Sequence, residues 1–228
     1  MARAPTPRRD DARRNREAIL RVAGAAFTGG SRAVSLHEIA RRAGLGRATV
    51  YRHFPDRHAL AVAVAAEYLE ALRRVVDGME RDGHSFRDVL HLVLSTQATM
   101  RPLAALMREL PEQDQRQHTE ELIGILTPPL RRAQAAGQFR ADVEPADLAQ
   151  VLVMLDAAAS TKVPGTAGED DLQRLIAVIL DGLFTTSAEA GDSAAADDLT
   201  VPDGFAAAGG RPGRAAHCGD RPGDNGTA

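Results

Sequence analysis

The chain has 228 residues, 44% of them hydrophobic, and a formal net charge of −3. That charge is unevenly spread: residues 1–60 hold 13 arginines and 5 acids, whereas 61–228 carry a net −11, so the first quarter is suited to a polyanion. The lone Cys218 excludes an internal disulfide framework and a cysteine-based zinc site, and the absence of both an 18-residue apolar run and an apolar segment behind the charged N-terminus leads us to expect a cytoplasmic protein without membrane span or signal peptide.

Aromatics are scarce and tryptophan is absent, so Leu, Val, Ile and Ala must build the core, a composition that favours helices. Residues 1–11, polar with two prolines, read as a flexible basic arm. A first helix is expected from Ala12 to Phe27, with Ile19, Ala23, Ala26 and Phe27 on its apolar face, stopped by Gly29-Gly30. Ser35 followed by Glu38 is the pattern of a capping box. It opens a short helix with Leu36, Ile39 and Ala40 inward, which Gly44 breaks. A second short helix, 46–54, turns Val50 and Phe54 inward and ends at Pro55; Asp56 caps a long third helix, Arg57 to Glu80.

Two short helices joined by a glycine turn make a helix-turn-helix, whose second helix enters the DNA major groove. With Val50 and Phe54 claimed by the core, Arg47, Thr49, Tyr51, Arg52 and His53 remain for DNA. Arg47 is suited to guanine edges or phosphate, Thr49 to a thymine methyl or phosphate, and Tyr51 and His53 to phosphate oxygens. Ser35 and Arg57, at helix starts, join a side-chain donor to free backbone amides and are expected on phosphates. Arg13, Arg14 and Arg16 can add backbone charge.

Further helices are expected at 85–100, 102–110, 112–126, 128–136, 145–160 and 169–186. Pro128-Pro129, with Thr127 as cap, should begin a fresh or kinked segment, because neither proline can donate within a helix. Gly137 ends that segment, and Pro164-Gly165 marks a turn. Half of residues 185–228 are Ala, Gly or Pro, so 187–228 is expected to be a disordered tail.

In this half, two apolar stripes invite assignment to a dimer interface: Leu148, Leu152 and Leu155 on one helix, and Leu172, Ile176, Ile179 and Leu183 on another. The alternative is that both stripes belong to the monomer's own core. Candidate effector-pocket residues are Leu94, Gln97, Met100, Met107, Leu122 and Ile125, of which Gln97 alone is polar; apolar positions there can equally be core. His84 and His91, seven apart, are read on one helix face but lack the extra ligands a metal needs, and His118 is expected in solvent.

The segment SLHEIARRAGLGRATVYRHFPDRHAL, residues 35–60, resembles the DNA-binding segment of the tetracycline-repressor (TetR) family of bacterial regulators. The likeness rests on Ile39-Ala40, Ala43-Gly44, Thr49-Val50-Tyr51, Phe54 and the basic Arg57, which stands where the family usually has lysine, and extends over residues 12–72. His58 replaces a usual acidic residue. GQFRADVEPADLA, from Gly137, is similar to a segment that precedes a dimerisation helix in many members.

This resemblance implies an all-α protein in which a helix-turn-helix domain (12–72) precedes a helical effector-binding and dimerisation domain (73–186). It implies a homodimer on double-stranded DNA at a palindromic operator, a small-molecule effector and, usually, repression. An activator or architectural protein without an effector is the alternative. An enzyme is disfavoured, since no Gly-rich phosphate loop, G-x-S-x-G, H-E-x-x-H or cysteine–histidine pair occurs in the folded part; no cofactor is expected.

Overall fold

A computed structural model describes residues 7–28, 35–161 and 169–185. The expectations for residues 1–6, the Gly29-Gly30 stop, the Pro164-Gly165 turn and the tail at 187–228 lie outside the described residues. Within them there are nine helices and no strand: α1 (Pro7–Thr28), α2 (Leu36–Arg42), α3 (Arg47–His53), α4 (Arg57–Gly78), α5 (Phe86–Thr99), α6 (Arg101–Arg108), α7 (Glu112–Ala135), α8 (Pro145–Ser160) and α9 (Glu169–Leu183).

Local chemistry sets most boundaries. Ser35, Asp56 and Ser85 cap α2, α4 and α5 by accepting from the backbone N–H three residues on. Helix α2 stops because Gly44 adopts φ +67° and lets Gly44 N donate to Arg41 O (3.2 Å) and Leu45 N to Ala40 O (3.0 Å). This is the left-handed termination that a Cβ would strain.

Two expectations fail. Helix α1 begins at Pro7, so residues 7–11 are helical rather than arm; a proline in the first turn needs no donor there and its fixed φ suits a helix. Pro128 and Pro129 do not start a new segment but lie inside a continuous α7. Instead of capping, the Thr127 hydroxyl donates back to Ile123 O (2.7 Å), and buried Pro129, Leu130 and Ala133 tie the second half of the helix to the core.

Two apolar cores share helix α4. Its first half, Leu60 to Ala65, packs with Ile19, Phe27, Ile39, Val50 and Phe54, and with Met100, Leu103 and Leu106 at and beyond the start of α6. Its second half, Tyr68 to Val76, packs with α5, α7, α8 and α9 around Leu94, Leu126, Leu130 and Leu155. The α7–α8 connection is anchored by three phenylalanines: Phe139 lies 5.5 Å from Phe86 and 4.9 Å from Phe184, ring centre to ring centre. Two backbone bonds, Arg140 N to Leu183 O and Thr185 N to Gln138 O (each 3.0 Å), hold the end of α9 beside it.

Leu126 is fully buried whereas Val62 is exposed on α4. Leu126→Ala is therefore expected to cost about 2–5 kcal/mol of unfolding free energy and Val62→Ala no more than about 0.5, read by urea denaturation. Equal losses would contradict this placement of the core.

Candidate functional site

Helix α3 is only seven residues long, and two inward side chains orient it. Val50 is buried within it and Phe54, its C-cap, is buried just beyond. The Arg16 guanidinium of α1 lies over the Phe54 ring at 4.9 Å. Arg47, Tyr51 and Arg52 consequently face outward, and half the surface of Tyr51 is exposed. Thr49 and His53 are half-buried, with the Thr49 hydroxyl accepting from Arg52 Nη2 (3.3 Å). Arg47 Nη2 donates to His37 Nε2 of α2 (3.1 Å), bringing His37 to the same surface. His37 was not singled out from the sequence, since its link to Arg47 spans ten residues and a turn.

Ser35 is exposed and its hydroxyl accepts from Glu38 N (3.2 Å). The reciprocal half of the expected capping box is missing. Glu38 turns to Arg41 (2.7 and 2.9 Å) and Arg42 (2.8 Å) instead, and these two guanidiniums bring its carboxyl down to about 2. Arg57, at the first turn of α4, does not stand free: its Nη2 donates to Glu109 Oε2 (2.8 Å), which also accepts from His58 Nε2 (2.9 Å). Glu109 is the C-cap of α6, so a carboxylate from one end of α6 clasps the start of α4.

The other face of α6 borders a cavity of about 230 Å³ enclosed with α4, α5, α7 and α8. Of the expected pocket residues, Gln97, Met100, Met107 and Leu122 line it. Leu94 does not, being fully buried in the core built on the second half of α4, and Ile125 lies instead beside an open, charged groove between α4 and α7. Tyr68, Arg108, His118 and Asp156 line the cavity unforeseen, because polar residues on four different helices meet only once the helices pack. His118 is half-buried rather than solvated, and burial pushes its imidazole below the usual histidine range. The Tyr68 phenol interacts with Thr96, and its burial raises its pKa well above the ordinary value. His84 precedes α5 rather than sharing its face with His91, and among the described residues no three His, Cys, Asp or Glu side chains converge as a metal site.

The expected dimer stripes are largely turned inward. Leu148, Leu152, Leu155 and Ile176 are buried in the monomer, while Leu172, Ile179 and Leu183 are half-buried against the same core. The exposed apolar side chains on these two helices are Val153 (64%), Met154 (66%) and Val178 (62%). Small residues flank them, with Ala157 and Ala177 exposed. Helical spacing finds an apolar stripe but does not say which side the protein's own core takes. No helix among the described residues is long and apolar enough to cross a membrane.

Known proteins match this architecture over most of its length. Residues 19–64 match the family model for bacterial regulatory proteins of the tetR family, and residues 83–185 that of the SbtR-like transcriptional regulator C-terminal domain. The crystal structure of a TetR transcription regulatory protein from Mycobacterium vanbaalenii is 32% identical, covering 78% of this chain and 100% of its own, with a TM-score of 0.57. The TetR transcriptional regulator SCO0520 from Streptomyces coelicolor is 26% identical over 75% of this chain and 99% of its own, also at TM-score 0.57. No curated protein matches the sequence at a significant level.

The Glu109 clasp has a titration signature. His58 first, and Arg57 second, hold its carboxyl below the ordinary 4.5. A carboxyl lowered by folding contributes its stabilisation in full above its unfolded value and loses it as pH falls through the folded one. Glu109 should thus titrate by NMR below 4.5, and His58→Ala should move it upward. An ordinary titration in the native protein would contradict the clasp.

Proposed function

The chain belongs to the TetR family of bacterial transcriptional regulators, and from that premise we propose that it is a homodimeric, ligand-responsive repressor of a palindromic operator. It is a DNA-binding regulator and not an enzyme. The observation that carries the finer reading is the outward face of α3, with Arg47, Tyr51 and Arg52 free of the core and Thr49 and His53 at its margin. Arg47 reads a base edge, and Tyr51, Arg52 and His53 grip phosphates on either side of the groove. Ser35 and Arg57 add phosphate anchors at the starts of α2 and α4, a phosphate taking the place of Glu109 on Arg57.

A palindromic site needs two such heads about 34 Å apart, and hence a two-fold partner. The apolar surface left on α8 and α9, around Met154 and Val178, supports a four-helix contact between two copies. This replaces the inward-facing leucines as the proposed interface. The 230 Å³ cavity favours a ligand-gated regulator over an activator or architectural protein without an effector. Helix α6 gives the cavity a route to the DNA face, since Met100, Leu103 and Met107 line the one and pack with the helices of the other.

Footprinting of the DNA flanking its own gene, with the full chain, supplies the operator duplex for binding measurements. Arg47→Ala should weaken operator binding by about 1–3 kcal/mol and relax preference at one base position, whereas Tyr51→Ala should weaken binding to every sequence alike. Unchanged anisotropy titrations for both variants would refute the assigned face. The double variant Met154→Asp, Val178→Asp should run as a monomer in light scattering and lose the footprint. A dimer that survives both changes would rule out the α8–α9 contact.

A further inference from the structure

We infer that the cavity takes a compact, largely apolar molecule ending in a protonated amine, which docks on the carboxylate of Asp156. This rests on the ligand-gated reading above and specifies its effector chemistry. Asp156 lies on α8 with its side chain only 16% exposed. One oxygen pairs with Arg108 of α6; the other, Oδ1, is buried and receives no hydrogen bond from any of the described residues. A buried carboxylate oxygen without a donor is costly, and a ligand's N–H removes that cost.

Apart from the Gln97 amide, the wall has few donors to offer an anion. Both amide hydrogens of Gln115 are spent on backbone carbonyls, of Arg108 (3.0 Å) and Leu110 (2.7 Å). The Thr119 hydroxyl donates to Gln115 O (3.0 Å), and Tyr68 interacts with Thr96. Burial favours the neutral His118 ring, which keeps an acceptor nitrogen. Arg108 is half-exposed and already committed to Asp156. Beside Asp156 the unmet demand is therefore for donors, and a charge-assisted N–H to a carboxylate is about twice as strong as a neutral one. Met100, Leu103, Met107 and Leu122 leave apolar surface for the remainder, and the small volume limits its bulk.

The placement of Asp156 also ties such a ligand to DNA binding. Arg108, its partner, is followed directly by Glu109, which holds Arg57 and His58. An ammonium that competes with Arg108 for Asp156 loosens the end of α6, and with it the clasp on α4.

Three probes with one carbon skeleton test the class: 2-phenylethylamine, 2-phenylethanol and phenylacetate, titrated into the full chain by calorimetry near pH 7. The amine should bind at least tenfold more tightly than the other two, and Asp156→Asn should abolish that margin while leaving the alcohol's affinity unchanged. Arg108→Gln, which keeps the carboxylate, should retain or enlarge it. Tightest binding by phenylacetate, or an amine margin that survives Asp156→Asn, would overturn the inference and leave the ligand-gated reading standing. If none of the three binds, the inference falls; if, besides, no small molecule alters operator affinity, the ligand-gated reading falls with it.

Discussion

Everything on the DNA side depends on how little holds α3 in place. Seven residues cannot form a stable helix alone, since nucleation costs more than two turns repay. The helix exists because Val50 and Phe54 are buried against α1, α2 and α4. Those two contacts also decide its rotation: once they face inward, Arg47, Tyr51 and Arg52 can only face out. Gly44 is part of the same constraint, because the turn that sets α3 against α2 needs a left-handed residue at that point.

The second constraint is that the two cores are not independent. Helix α4 gives its first half to one and its second half to the other, and α6, which packs in the first, also meets α5 and α8 of the second. A small displacement of α6 cannot be absorbed locally in close-packed surroundings. The consecutive residues Arg108 and Glu109 make this concrete, one reaching α8 across the cavity and the other the start of α4. Under the proposed ligand-gated function the effector must prefer one arrangement of the protein over another, and differential contact at such a junction is a physical source for that preference.

The DNA-binding half was largely legible in the sequence because its signals are local. Caps at Ser35 and Asp56, a glycine turn and a two-residue apolar face suffice to place Arg47 to His53. Helix α8 occupies Pro145–Ser160, the span its apolar periodicity predicts. What the sequence concealed is non-local. Leu148, Leu155 and Ile176 look like an interface by spacing alone, yet the monomer's own core takes them and leaves Met154 and Val178 outside. Pro128 and Pro129 break the local rule, and burial of the helix around them overrides it. Asp156, His118 and Glu109 acquire their roles from residues some 40 to 50 positions away or more, beyond any short-range pattern.

The claim that the outward face of α3 lies against a nucleic-acid backbone is tested most directly by the ionic-strength dependence of duplex binding. For the intact protein, the logarithm of the association constant should fall linearly with that of salt concentration, with a slope of about −0.9 for each phosphate neutralised. Removing Arg52 should make that slope shallower by about one. Affinity indifferent to salt, or a slope unmoved by the loss of Arg52, would contradict the account.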